Sequence, residues 1–91
     1  MDGFSNAVHR EDLPDLPPVA KNFELVRKLA GLSGAAMARK LGVEPMTYYR
    51  YRRGDTVPPW DRVLTAAVEF QRQPEWFYTD HFAAWLKAGI T

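Results

Sequence analysis

The segment LSGAAMARKLGVEPMTYYRYRRGDTVPP, residues 32–59, decides the fold of this chain. It predicts two short helices joined by a tight turn. Ser33 caps the first helix by accepting a hydrogen bond from an early backbone N–H, and Gly42 ends it, because glycine adopts the left-handed conformation without a Cβ clash. Pro45 opens the second helix at a position where its missing N–H is harmless, and Gly54 ends that helix. A helix, a short turn containing glycine and a second helix form a helix-turn-helix unit.

Length and composition limit the class of protein. The chain has 91 residues, of which 46% are hydrophobic, and no cysteine. This length predicts one domain with one core, and a small all-helical unit is the natural solution at this size. The lack of cysteine excludes disulfides, thiolate zinc sites and cysteine nucleophiles, and it fits a cytoplasmic protein. No apolar run approaches the roughly 20 residues of a membrane span and no signal peptide is visible, so we expect no membrane partner.

Charge is distributed unevenly along the chain, although the formal net charge is only +1. Residues 1–24 carry five acidic and two basic side chains, whereas residues 39–53 carry five basic side chains and one acidic one. The positive charge therefore coincides with the helix-turn-helix segment, as expected of a nucleic-acid-binding surface. The alternative is an ordinary solvated charged face.

Apolar spacing outside this segment predicts three more helices. The first begins at residue 18 or 19 and ends at residue 30. The fourth spans about 60–71. The fifth begins at residue 74 with proline at its first position and extends to residue 88, with a break at residues 79–80 as the alternative.

The predicted fold class is all-α: a compact five-helix bundle that contains the helix-turn-helix, plus an extended N-terminal arm. We assign residues 1–18 to the arm and residues 19–91 to the DNA-binding domain. Prolines and turn-forming residues disfavour helix in the arm. The arm is either a flexible leader or a protein contact, because its acidity argues against contact with phosphate.

The third helix has two different sides. Tyr48 and Tyr51, three residues apart, are expected to pack on the second helix. The outer face of the third helix consists of Pro45, Met46, Tyr49, Arg50 and Arg53. Apolar groups and arginines on one exposed helical face are what base edges and phosphates in a major groove require.

Several short motifs recur along residues 32–77, and their spacing matches a known pattern without insertions or deletions. They are Leu32-Ser33, Met37-Ala38, Leu41-Gly42-Val43, Arg50, Arg53-Gly54, Pro58, Val63-Leu64, Ala67 and Pro74-Glu75-Trp76-Phe77. Together they resemble the lambda-repressor-like DNA-binding domain of the Cro and Xre transcriptional regulators, over about two-thirds of the chain. The resemblance implies a lambda-repressor-like bundle that presents its third helix to DNA.

Three positions depart from the family pattern. Gly34 replaces a glutamine that usually contacts phosphate, which leaves only a backbone N–H for that contact. Glu44 replaces the usual Ser or Thr cap of the third helix. Arg52 stands where the family often has a glutamate that pairs with the arginine matching Arg27, so we expect Arg52 to turn to solvent or phosphate and Arg27 to find another acceptor.

The outer face and the resemblance together imply the contacts with DNA. The expected base contacts are Pro45, Met46, Thr47, Tyr49 and Arg50. The expected phosphate contacts are Ser33, Gly34, Arg39, Lys40, Arg52 and Arg53. Arg50 is the main candidate for reading guanine, whereas Tyr49 and Thr47 suit either a base or a phosphate, and Lys40 is alternatively an ordinary solvated lysine.

The aromatic fifth helix is the expected homodimer interface. Its proposed contact residues are Trp76, Phe77, Phe82, Trp85 and Leu86. The resemblance implies dimers, because one such domain contacts few base pairs and two half-sites select an operator better. The alternative is that Trp76 and Phe77 belong to the core while Trp85 and Leu86 cap the bundle.

The sequence thus predicts a cytoplasmic transcriptional regulator. It would bind double-stranded DNA at a palindromic operator through the major groove, as a repressor of phage, plasmid or mobile-element type. The alternative is a protein-interaction module, such as an antitoxin that holds a toxin or another regulator with its arm or C-terminal helix. We expect no enzymatic activity, cofactor or metal site, because His9 and His81 lie far apart and no catalytic or phosphate-loop motif is present.

Overall fold

The structure is a computed structural model that describes residues 16–81 of the chain. These residues form four α-helices and one 3₁₀ helix, and they contain no strand. The elements are α1 at Pro18–Leu29, α2 at Gly34–Leu41, α3 at Pro45–Arg53, α4 at Trp60–Glu69 and the 3₁₀ helix at Pro74–Tyr78. The all-α prediction is confirmed for this part of the chain, and so are the two helices expected in residues 32–59.

The residues predicted to cap and end the helices of the helix-turn-helix segment do so in the structure. The Ser33 hydroxyl accepts a hydrogen bond from the Ala36 backbone N–H at 3.1 Å and caps α2. Gly42 ends α2 in the left-handed conformation, with φ of 74°, and Gly54 ends α3 in the same way, with φ of 83°. A Cβ at Gly54 would lie 2.8 Å from Leu16, so this glycine also allows close packing.

The hydrophobic core draws on all five elements. Its buried members are Val19, Phe23, Val26, Met37, Ala38, Leu41, Tyr48, Tyr51, Val63, Ala66, Ala67 and Phe77. The Phe23 ring on α1 meets Tyr51 of α3 and Phe77 of the 3₁₀ helix edge to face, with ring centroids 6.3 and 5.5 Å apart. Such contacts between aromatic rings add to the burial energy, and they place α3 and the 3₁₀ helix on α1.

The predicted α-helix over residues 74–88 is instead a short 3₁₀ helix at its start. The 3₁₀ helix ends at Tyr78, and Thr79 is extended with φ of −101° and ψ of 130°. The alternative break at residues 79–80 is therefore confirmed. Asn22 supplies a physical reason, because its amide donates to the carbonyls of Phe77 at 2.8 Å and Thr79 at 2.7 Å, and its contacts hold the chain in the extended turn.

The boundary predicted between arm and domain also shifts. Leu16 is buried and Pro18 is already the first residue of α1, so residues 16–18 belong to the packed body rather than to the arm. Two segments lie outside the described residues: the rest of the arm, residues 1–15, and residues 82–91, which include the end of the predicted fifth helix at residues 82–88. Between residues 16 and 81, no helix has the length and apolar character that crossing a bilayer requires.

Candidate nucleic-acid interface

The outer face of α3 is exposed along the whole helix. Pro45, Met46, Tyr49, Arg50 and Arg53 are all exposed, and Thr47 at the edge of this face is half-buried. The five exposed side chains are the ones that the sequence predicted to lie on the outer face. The surface combines a thioether, a phenol and guanidinium groups, which are suited to thymine methyls, base edges and phosphates.

The inner side of α3 is anchored deep in the protein. Tyr48 and Tyr51 are buried, as predicted, and their rings meet edge to face with centroids 6.3 Å apart. The Tyr48 hydroxyl donates a hydrogen bond to the Glu24 carboxylate on α1. Burial, reinforced by the Glu24 charge, raises the pKa of Tyr48 well above its usual value. The hydroxyl therefore keeps its proton at neutral pH and continues to donate.

Glu24 is the centre of a buried ionic cluster that sequence reasoning missed. Its carboxylate accepts hydrogen bonds from Arg27 Nε at 3.1 Å and Nη2 at 3.0 Å, and both side chains are almost entirely buried. Arg27 Nη1 donates to the Leu32 carbonyl at 2.7 Å, which ties α1 to the start of the helix-turn-helix segment. Burial alone would lower the pKa of Arg27, but the hydrogen bonds and charge of Glu24 outweigh it and raise the pKa.

Arg52 completes this cluster, and its predicted role requires correction. Its Nε lies 3.4 Å from Glu24 Oε1, and the side chain is only partly exposed. From the sequence, Arg52 was expected to point toward solvent or phosphate, because two arginines, Arg27 and Arg52, cannot pair with each other. Instead, Glu24 provides the negative charge between the two arginines. Arg52 thus positions α3 on α1, and Arg27 has the acceptor that it was expected to need.

Other cations differ in how free they are to bind a phosphate. Among residues 16–81, neither Arg50 nor Arg39 has an ion pair or side-chain hydrogen bond, and both are exposed. Arg53 Nε and Nη2 both donate to Asp55 Oδ2, at 3.1 and 2.6 Å. Lys40 Nζ lies 3.6 Å from Glu69 on α4, where both groups are exposed. Exposed pairs of this kind are weak, so Lys40 and Arg53 can exchange partners at little cost.

The start of α2 lies beside the inner side of α3. Gly34 is the first residue of α2, and a Cβ there would be in ordinary contact with Tyr48, 3.9 Å from its ring. The Ser33 hydroxyl already accepts the Ala36 N–H, but its own proton remains available for donation to an anion. Ser33 is exposed and Gly34 is half-buried, and their contact with phosphate stays a prediction.

Arg62 on α4 is a further positioning residue that the sequence did not reveal. Its Nη1 donates to the Leu41 carbonyl at the end of α2 at 2.6 Å. A Cβ at Gly42 would approach the same nitrogen to 3.0 Å. The interaction satisfies a carbonyl that the helix end leaves without an intrahelical partner and holds α4 against the turn between α2 and α3.

The predicted dimer residues divide into three groups. Phe77 is fully buried in the core, so its assignment to a dimer surface is wrong and the alternative is correct for this residue. Trp76 is half-buried, stacked on the His81 ring with centroids 4.2 Å apart and covered by the Arg72 guanidinium at 4.4 Å. Phe82, Trp85 and Leu86 lie outside the described residues.

Comparisons of the chain with protein-family models, with curated proteins and with solved structures found no match. The resemblance to the Cro and Xre regulators therefore remains a prediction that depends on the motifs in residues 32–77.

Proposed function

We propose that this protein is a sequence-specific double-stranded DNA-binding regulator of transcription that inserts α3 into the major groove. The observation that carries the proposal is the contrast between the two sides of α3. The inner side is fixed by Tyr48, Tyr51 and Arg52, while the outer face presents Arg50, which has no ion-pair partner among residues 16–81, beside Met46 and Tyr49. A rigidly held helix with an exposed cationic and apolar face is what direct readout requires.

Within this proposal the exposed residues have separate tasks. Arg50 donates two hydrogen bonds to O6 and N7 of a guanine, and Pro45 and Met46 contact thymine methyls near the start of α3. Arg39, with Lys40 and the backbone at Gly34, binds phosphates and sets the position of the protein on the duplex. A cytoplasmic repressor that covers a promoter as a homodimer is the simplest biological role for such a module.

Selection from random double-stranded DNA followed by binding titration tests the proposal. The selected site should be bound at least about 10³-fold more tightly than unrelated DNA. Arg50→Ala should weaken binding to that site by roughly 5- to 150-fold, equivalent to about 1–3 kcal/mol, and relax the preference at one base pair. Binding to unrelated DNA should change much less.

Arg72→Ala is the matched control, because it removes the same charge from an exposed arginine beyond the end of α4. If selection returns no enriched sequence, the DNA-reading proposal fails. If Arg50→Ala and Arg72→Ala weaken binding equally on specific and unrelated DNA, Arg50 contributes charge alone and is not the base reader.

A further inference from the structure

Helix α4 carries apolar side chains on two sides, only one of which faces the core. Val63, Ala66 and Ala67 are buried. Trp60, Leu64 and Val68 are 53%, 40% and 76% exposed. These three residues, spaced four apart, lie within an arc of about 80° and form one continuous row, which we call the α4 stripe.

The stripe is extended at its Trp60 end and is free of charge along its length. The Tyr78 ring stacks on Trp60, with centroids 6.0 Å apart, and is itself exposed. The nearby charges are already engaged within the chain: Asp61 lies 3.4 Å from Arg62, and Glu69 lies 3.6 Å from Lys40. Of the three charged residues on α4, Asp61 and Glu69 are acidic and only Arg62 is basic, which disfavours an anionic membrane or a nucleic acid as the partner of the stripe.

The side chains of the stripe decrease in size along α4, so the stripe is complementary to a second copy that runs in the opposite direction. Along α4 the side chains run from large to small: Trp60, Leu64, Val68. In an antiparallel pair of α4 helices with Leu64 on the two-fold axis, each Trp60 meets the partner's Val68. A parallel pair would instead oppose tryptophan with tryptophan and leave a gap beside valine. A self-complementary patch is what an isologous dimer needs.

We propose that the α4 stripe is the surface on which two copies of this chain associate, with their α4 helices antiparallel. The surface differs from the fifth-helix interface expected from the sequence, whose Phe77 belongs to the core. Four exposed side chains are far fewer than the roughly 20–30 residues a side of a stable complex. The dimer is therefore weak in dilute solution and becomes populated at high concentration or when two copies are held close together.

Disulfide trapping detects such a weak dimer, because the chain contains no cysteine of its own. Leu64→Cys places one thiol per subunit at the two-fold axis, within the roughly 4.4–6.8 Å Cα separation that a disulfide spans. Leu29→Cys is the matched control: Leu29 is a 49% exposed leucine at the end of α1. Under mild oxidation Leu64→Cys should dimerise at least about ten times faster than Leu29→Cys, and urea should abolish the difference.

A mixed reaction tests the antiparallel order. In the proposed dimer the two Trp60 residues lie about 12 Å apart along the helix axes, so Trp60→Cys alone should cross-link slowly. A mixture of Trp60→Cys and Val68→Cys should form the mixed disulfide faster than either variant couples with itself. Equal rates for Leu64→Cys and Leu29→Cys, or faster self-coupling of Trp60→Cys than mixed coupling, would overturn the proposal. The reactions contain no DNA, so their outcome is independent of the test of DNA binding.

Discussion

The Tyr48 hydroxyl on α3 donates a hydrogen bond to the buried Glu24 carboxylate on α1, and this bond joins the candidate DNA-reading helix to the first helix. Arg27 and Arg52 bind the same carboxylate from α1 and α3. The orientation of the exposed face of α3 therefore depends on a charged cluster on its hidden side. Because Glu24 and Tyr48 are 24 residues apart in sequence, the cluster forms only once the chain has folded.

Removing the Tyr48 hydroxyl should destabilise the protein measurably. Tyr48→Phe leaves the ring in place but deprives the Glu24 carboxylate of one donor, and a hydrogen bond to a charged group contributes about 1.5–3 kcal/mol. Tyr51→Phe is the matched control, because the structure gives its hydroxyl no hydrogen-bond partner among residues 16–81. We expect urea unfolding to show a loss in this range for Tyr48→Phe and less than about 0.5 kcal/mol for Tyr51→Phe. Equal losses would contradict the role of the hydroxyl.

Neutralising Glu24 should have the largest effect among conservative substitutions. Glu24→Gln leaves the buried Arg27 guanidinium without its counter-charge, and breaking a buried pair in this way costs about 3–5 kcal/mol. Glu69→Gln is the comparison, because Glu69 makes only the exposed pair with Lys40 and should change stability by at most about 1 kcal/mol. Circular dichroism during thermal unfolding measures both. A Glu24→Gln protein as stable as Glu69→Gln would show that the cluster is not coupled as described.

Stability should fall at alkaline pH because of Tyr48. The folded protein raises the pKa of this phenol well above its usual value of about 10, chiefly through burial. Between the unfolded and folded pKa values the unfolded chain has released the proton and the native state has kept it, so the free energy of unfolding decreases as pH rises above about 10, by up to about 1.4 kcal/mol per pH unit.

Urea titrations between pH 7 and 11 measure this decrease, and Tyr48→Phe should make it shallower. Some slope should remain in the variant, because burial also raises the pKa of Tyr51. Phenolate absorbance provides an independent readout, since Tyr48 should titrate only as the protein unfolds. A profile that is identical in wild type and Tyr48→Phe would exclude Tyr48 as the source.

Asp55 should moderate the affinity for DNA under the proposed function. Its carboxylate accepts both hydrogen bonds of Arg53 and reduces the positive charge at the end of α3. Asp55→Asn should strengthen DNA binding at low salt and steepen the dependence of log K on log salt concentration by about 0.9, the value of one additional phosphate contact.

Glu75→Gln provides the same change of net charge on the exposed first turn of the 3₁₀ helix. Fluorescence anisotropy titrations at several salt concentrations compare the two variants. If both variants change the salt dependence equally, the effect is one of net charge, and the pairing of Asp55 with Arg53 has no specific influence.

The sequence by itself determined the local features of this protein. Gly42 ends α2, Pro45 begins α3 and Gly54 ends α3, all as predicted. These positions were predictable because backbone preferences act within a few residues. The two sides of α3 were equally predictable, since helical periodicity alone separates Tyr48 and Tyr51 from the exposed residues.

Only the tertiary structure decided what the polar side chains contact. Arg27 and Arg52 were expected to find separate partners, but both bind the buried Glu24 carboxylate. Asn22 binds carbonyls more than 50 residues away, where the fifth helix ends earlier than predicted. The same packing put Phe77 in the core and left Leu64 outside it. Contacts between residues distant in sequence depend on how whole helices pack, and no spacing rule along one segment contains that information.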